Sequence, residues 1–327
     1  MRFLSVSLQT GAHRAILNKN VTDLLRLLCC LLIALHHYSQ YLIQQNLSDS
    51  IFISLLSSQG GYIGVAFFFF LSGFGLSESW SKHPRPFFQF IKIRFLKVYL
   101  PVVLVTVLWF IVLVISPKIR IAAGVDGHDI SGINPLIRIA TFQFYDSVLW
   151  FVKVILLLYL LFWVYSGLNT SVSISFLILI LGSCSIMYFA YRSIGPFSVV
   201  SIPLFSFGVL VSKYSFFWGK YRHVLFVLSV TLALVCTIVF YKRSLMLHAI
   251  VSYTIVFVYV YLSCIFNIVA KALPQLISDL SYDIYITHNK VKFALNALCP
   301  ISSLIVFFLS TILVSFIFRL IRKLVFR

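Results

Sequence analysis

A chain of 327 residues that is 61% hydrophobic and 10% charged, with a mean hydropathy of +1.02, falls outside the soluble globular class. Its formal net charge of +18 raises nucleic acid as a partner, but the 26 Lys and Arg are scattered between apolar runs and form no single patch. That scatter is what the positive-inside rule produces in a polytopic membrane protein, so no nucleic-acid partner is expected and membrane lipids are.

In chain order, residues 1–21 read as a short polar lead with basic residues. Ten hydrophobic spans are then predicted, at 22–42, 61–79, 94–116, 147–166, 172–190, 196–212, 222–241, 245–267, 275–294 and 301–320. The fold class is all-α, a transmembrane helix bundle. No Ala-x-Ala cleavage signal follows the first span, which is expected to be a retained helix. Giving alternate loops to the same side places sixteen Lys and Arg on the side of both termini and eight on the other, with Arg26 and Lys153 inside spans. Both termini are therefore expected in the cytoplasm, with residues 322–327 as a basic tail.

The first span, DLLRLLCCLLIALHHYSQY from Asp23 to Tyr41, carries one arginine and two adjacent histidines. An arginine well inside a bilayer costs about 2.5–3.5 kcal/mol on insertion scales, which marks Arg26 as functional. Arg26 and His37 are eleven residues apart, which returns them to within about 20° of one helix face, about 16 Å apart along the axis. His36 points about 80° away and is the weaker candidate.

The second span opens GGYIGVAFFFFLSGFGL, where Gly61, Gly64 and Gly73 offer close helix–helix contact. Lys82 to Pro101 is broken by two prolines and then becomes basic and amphipathic. It reads either as a segment facing anionic lipid head groups or, through Arg94 and Lys97 three residues apart on one face, as a phosphate clamp. Pro117 to Asp146 is the longest polar connection and is expected to face outside. Its Asp126, His128, Asp129 and Asp146 leave a metal site as a minor alternative, and no metal is expected. The fourth span begins with Leu149-Trp150-Phe151, an interfacial aromatic cluster, and Lys153 one turn in can snorkel.

Spans five to eight carry few charges and read as scaffold. The ninth is crowded with polar groups: Asp279, Ser281, Tyr282, Asp283, Tyr285, Thr287, His288, Asn289 and Lys290. Such residues face a bundle interior or a wet cavity. Tyr285 and His288 share one face, Asp279 and Asp283 another. The six cysteines, Cys29, Cys30, Cys184, Cys236, Cys264 and Cys299, match no metal-ligand spacing and read as core.

Several of these places together resemble acyltransferase family 3, integral-membrane O-acyltransferases that acetylate sugars of bacterial surface polysaccharides. Arg26 and His37, with ten residues between them, look like the family's arginine–histidine motif. Gly61 to Phe74 is similar to its G-x-x-G-V-x-x-F-F-x-L-S-G-F signature. Phe90 to Pro101 resembles its F-x-x-x-R-x-x-R-x-x-P segment, LWFVKVILLLY its fourth helix, and SYDIYITHN its S-Y-x-I-Y-L-x-H stretch. Five motifs in the family's order cover Asp23 to Asn289. Three positions depart from the pattern. Lys97 replaces the second arginine, Ala66 stands where many members have Asp, and Lys153 lies near a position often acidic. The hydrolase-like domain that some members carry after the last helix is not expected.

The resemblance implies one transmembrane acyltransferase domain over 22–321 in a bacterial inner (cytoplasmic) membrane. It implies acetyl-CoA as acyl donor and a surface glycan or lipid-linked oligosaccharide as acceptor: O-antigen, capsule or exopolysaccharide. His37 is expected as the catalytic base with Arg26 beside it, Arg94 and Lys97 as donor-binding residues, and His36, Trp150, Tyr282, Tyr285 and His288 as pocket residues. The alternative from another class is a multi-pass transporter or flippase of a glycan or lipid-linked precursor, which the lack of an evident internal repeat disfavours.

Overall fold

The computed structural model describes residues 17–141, 144–168, 172–194, 200–240, 244–266, 268, 271, 274–298 and 303–326. Arg2, Arg14, Lys242, Arg243 and Cys299 lie outside them, as does the side chain of Asp279.

Among the described residues, ten main helices overlap the ten predicted spans, the sixth being shorter than the expected 196–212 because residues 200–203 are turns and the helix begins at Leu204. α1 is Lys19–Gln44, capped by the Asn18 side chain, which accepts a hydrogen bond from Asn20 N at 2.9 Å. The helix ends where Asn46 turns the chain with a positive φ, a conformation asparagine tolerates. α2 runs over Ile51–Lys82 with a π turn at Leu56–Gly60. It stops at Lys82 because His83 precedes a proline and is pushed out of the helical region.

α3, Phe87–Ile115, contains a second π turn at Phe95–Tyr99, just before Pro101, which has no N–H to continue a regular ladder. Two short helices, Pro117–Ala122 and Asn134–Ala140, follow. Then come α4 Ser147–Gly167, α5 Val172–Ile194, α6 Leu204–Lys213, α7 Arg222–Phe240, α8 Ser244–Phe266, α9 Gln275–Leu298 and α10 Leu304–Val325.

Eight of the ten are long and apolar enough to cross a membrane. The exceptions are α6, which has ten residues, and α9, which is long but polar. α7 and α9 display the inversion expected in lipid. None of the 18-residue apolar window of α7 is buried inside the protein. In α9, Ser281, Asp283, Thr287, His288, Asn289 and Lys290 are all buried. Lipid solvates hydrocarbon and leaves polar groups no partner but one another, so the polar helix goes to the centre. The chain is a multi-pass helical membrane protein.

The tightest packing joins α2 to α6. A Cβ on Gly73 would overlap the Phe205 carbonyl, and one on Gly208 would overlap the Phe70 carbonyl. Backbone cannot step aside as a side chain can, so Gly73→Ala is expected to cost about 1–3 kcal/mol. A lowered thermal unfolding midpoint in nanodiscs checks this. Gly167→Ala, where nothing lies within 4 Å of the added carbon, is the control.

Three sequence expectations need correction. Asp146, assigned to an outward loop, is buried against α9. Lys290 and Arg319, counted as loop and tail charges, are buried inside α9 and α10. Removing one charge from each side leaves the sign of the charge bias unchanged. The supposed tail begins inside α10, so Arg322 and Lys323 are helix residues with fixed places.

Candidate active site

α1 and α9 run side by side in the same direction, and two cavities open along their seam. The first is a polar vestibule of about 610 Å³. Its lining includes Lys19, Asp23 and Arg26 of α1, Lys97 and Pro101 of α3, Ser281 and Tyr282 of α9, and Arg322 and Lys323 of α10. Among these stand five cations and one carboxylate. Asp23 is shared, accepting from Lys19 Nζ at 2.7 Å and from Arg26 Nη1 at 3.2 Å. Arg26 Nη2 also donates to the Leu71 carbonyl at 3.3 Å. A side chain on Gly75 would press on that guanidinium, so this glycine makes room for it. Arg322 is anchored by buried Asp283 at 3.0 Å.

The second is a smaller cavity of about 110 Å³, lined by Ile33, His36, His37, Gln40, Gly61, Tyr62, Val65, Val148, Trp150 and Tyr285. Two imidazoles line it, and a third, His288, stacks on one of them. His37 stacks on His288 with ring centroids 5.4 Å apart and 20° between planes, and meets His36 edge-on at 4.9 Å. His36 Nδ1 lies 2.9 Å from the Leu56 carbonyl, which belongs to the first π turn. A carbonyl only accepts, so the His36 proton is on Nδ1 and Nε2 keeps its lone pair. His288 Nδ1 lies 2.7 Å from the Tyr285 carbonyl and is fixed the same way. Its Nε2 is buried with no hydrogen-bond partner among the described residues. His37 Nδ1 is 3.3 Å from Gln40 Oε1.

His36, ranked the weaker candidate on the 80° argument and expected as a pocket residue, lines the same cavity as His37. That argument placed Cβ directions on a cylinder and ignored the rotamer. Gly61 permits this, because a Cβ there would sit 2.5 Å from His36 Cδ2. The glycines read as packing points thus divide: Gly73 packs a helix, while Gly61 clears space for an imidazole.

Two tyrosines one turn apart separate the cavities. Tyr282 lines the vestibule and Tyr285 the histidine cavity, with ring centroids 6.4 Å apart. Tyr282 donates to the Val98 carbonyl at 2.6 Å, inside the second π turn, and Tyr285 donates to the Val148 carbonyl at 2.5 Å. Val148 is itself held, because Asp146 Oδ1 accepts from its N–H at 3.1 Å. Asp146 also takes Asn289 Nδ2 at 2.6 Å and Lys290 Nζ at 2.7 Å. Sequence reading missed this cluster. An Asp directly before an apolar span was the available signal, as a cap, but its partners lie more than 140 residues away.

Arg94 and Lys97 line different cavities. Lys97 opens on the vestibule. Arg94 lies over the rings of Phe90 and Tyr159, at 5.4 and 5.2 Å, and shares a mainly apolar cavity of about 390 Å³ with Lys153. The π turn begins at Phe95, and its wider winding breaks the rule that puts residues three apart on one face. His248 of α8, a helix read as scaffold, stacks on Tyr62 at 4.6 Å. A lone histidine in an apolar span was the signal for it.

The acidic loop has ordinary partners. Asp129 pairs with Arg138, and Tyr145 donates to the Asp129 carbonyl at 2.8 Å. Cys29 and Cys30 are buried free thiols.

No curated protein and no solved structure matches the chain. A protein family described as acyltransferase domain matches residues 21–320, a range that includes every residue lining the histidine cavity and all those lining the vestibule except Lys19, Arg322, Lys323 and Phe326. With that match over most of its length, and with its helices, the chain belongs to acyltransferase family 3 and is a membrane acyltransferase.

Proposed function

We propose that the protein moves an acetyl group from acetyl-CoA to a sugar hydroxyl of a bacterial surface polysaccharide or its lipid-linked precursor. The observation that carries this reading is one helix, α1, offering a cation to a basic vestibule and an imidazole to a separate cavity, with a two-tyrosine wall between. The vestibule suits the phosphates of the donor, since Arg26, Lys97, Arg322, Lys19 and Lys323 converge there. Its basic end is assigned to the cytoplasm by the charge bias of the loops.

The thioester end of the donor would pass between Tyr282 and Tyr285 to reach His37. There the imidazole takes the acceptor hydroxyl proton as its oxygen attacks the thioester carbonyl carbon. The C–S bond breaks, and CoA leaves as the thiol once its sulfur has regained a proton. A neutral imidazole is the form able to accept that proton. His288 stacks behind His37 and holds it in place, and Trp150 and Tyr285 exclude water.

The test uses the purified protein in nanodiscs with labelled acetyl-CoA and surface glycan from a host carrying this chain. Label bound covalently to glycan is the expected result. Glycan moved across the bilayer without label would replace the enzyme by a transporter.

Variants locate the donor. Lys97→Ala and Arg322→Ala are each expected to raise the donor KM about 10-fold or more, the effect of a lost hydrogen bond to a charged group. Arg94→Ala should raise it less, because Arg94 opens on a different cavity. An Arg94 effect exceeding that of Lys97 would return the donor to the Arg94 side.

A further inference from the structure

The histidine cavity has one wall that the acyl-transfer chemistry does not use. Tyr62 forms it, and His248 of α8 lies flat behind the phenol, with planes 10° apart and centroids at 4.6 Å. Behind His248 stands Gln59, in the π turn that ends next to Gly61. Its Nε2 donates to His248 Nδ1 at 2.6 Å. Gln59 Oε1 is buried with no hydrogen-bond partner among the described residues. One amide, Gln40, and a second large ring, Trp150, line the cavity itself.

An imidazole and an amide within an apolar bundle are costly unless they do something. Here they fix the orientation of one aromatic face. Aromatic faces with a few directed amides suit a ligand that has a flat apolar side and hydroxyls at its edge. A pyranose ring, with axial C–H groups on its faces and hydroxyls around its rim, has that form.

We infer that Tyr62, held by His248 and by Gln59 behind it, is the wall that recognises the acceptor sugar, with Gln40 taking a hydroxyl. His248 is a positioning residue, acting through Tyr62. The inference rests on the acyl-transfer reading and adds to it the residues that select the acceptor. None of the three lies on the arginine–histidine pair or in the polar stretch of α9.

The test compares wild type, His248→Ala, His248→Phe and Gln59→Leu in nanodiscs. Labelled acetyl-CoA is the donor, and methyl glucoside, methyl galactoside or propanol is the acceptor. His248→Ala and Gln59→Leu are expected to raise the glycoside KM about tenfold, with kcat within twofold and donor KM unmoved. His248→Phe keeps the stacked ring and should recover most of the His248→Ala loss. Propanol, which has no ring to stack, should be insensitive to all three.

A glycoside KM that stays put, or a propanol KM that rises in step with it, overturns the inference. Should His248→Ala fail to fold, the Gln59→Leu result decides alone. A wild type that acetylates propanol but neither glycoside overturns the sugar wall and leaves acyl transfer standing. A wild type that acetylates none of the three overturns acyl transfer itself.

Discussion

His37→Ala is expected to lower acyl transfer by about 10²–10⁴-fold, the usual loss when a positioned base is removed. Protein yield and thermal midpoint should stay near wild type, because His37 is half-buried at a cavity wall and its contacts to His288 and His36 are ring contacts whose loss strands no buried charge. The donor KM should also hold, since Arg26 stands about 16 Å away along the axis of α1 and the vestibule keeps its cations. Steady-state kinetics with labelled acetyl-CoA read both quantities. His36 and His288 make the experiment sharp. Both have Nδ1 committed to a carbonyl, and each keeps a lone pair on Nε2. Near-normal turnover in His37→Ala would therefore hand the base role to one of its neighbours. His288→Ala and His36→Ala would say which.

The second large effect belongs to a residue that touches no proposed substrate. Asp146→Ala is expected to destabilise the protein by about 3–5 kcal/mol, because it strands the buried ammonium of Lys290. It also removes the side chain that accepts from Val148 N at the start of α4. An apolar pair, Asp146→Leu with Lys290→Met, should recover much of that loss, since two desolvated charges and their attraction disappear together. Unfolding midpoints in nanodiscs measure both variants. A single-variant loss below about 1 kcal/mol would mean that the pair contributes little to stability. Catalysis should suffer even in the recovered double variant. Asp146 holds Val148, Val148 holds the Tyr285 hydroxyl, and Tyr285 separates the two cavities.

These two residues differ in how far they could be read from sequence. His37 was legible because its relation to Arg26 is local. Eleven residues of one helix fix an angle and a rise, and nothing elsewhere in the chain can change them much. Asp146 was placed in an outward loop because the residues around it are polar, and local polarity carries no word of Asn289 and Lys290. Arg94 and Lys97 lie between these cases. Their spacing is local, but the π turn that separates them arises beside Pro101 and was not included in a simple helical wheel. His248 carried a signal, a single titratable group in an apolar helix, that was outweighed by the blandness of its surroundings.

Sequence alone determined that the chain is a bundle of membrane helices, where those helices lie, and which family its motifs resemble. Those properties depend on composition and on periods of a few residues, which any segment states by itself. Only the tertiary structure decided that α9 is central and α7 peripheral, that one basic vestibule and one histidine cavity share α1, and that α10 supplies cations to the first. Each of these is a pairing between distant segments. In lipid such pairings are chosen by which polar groups can satisfy one another, and that choice is made by the assembled bundle.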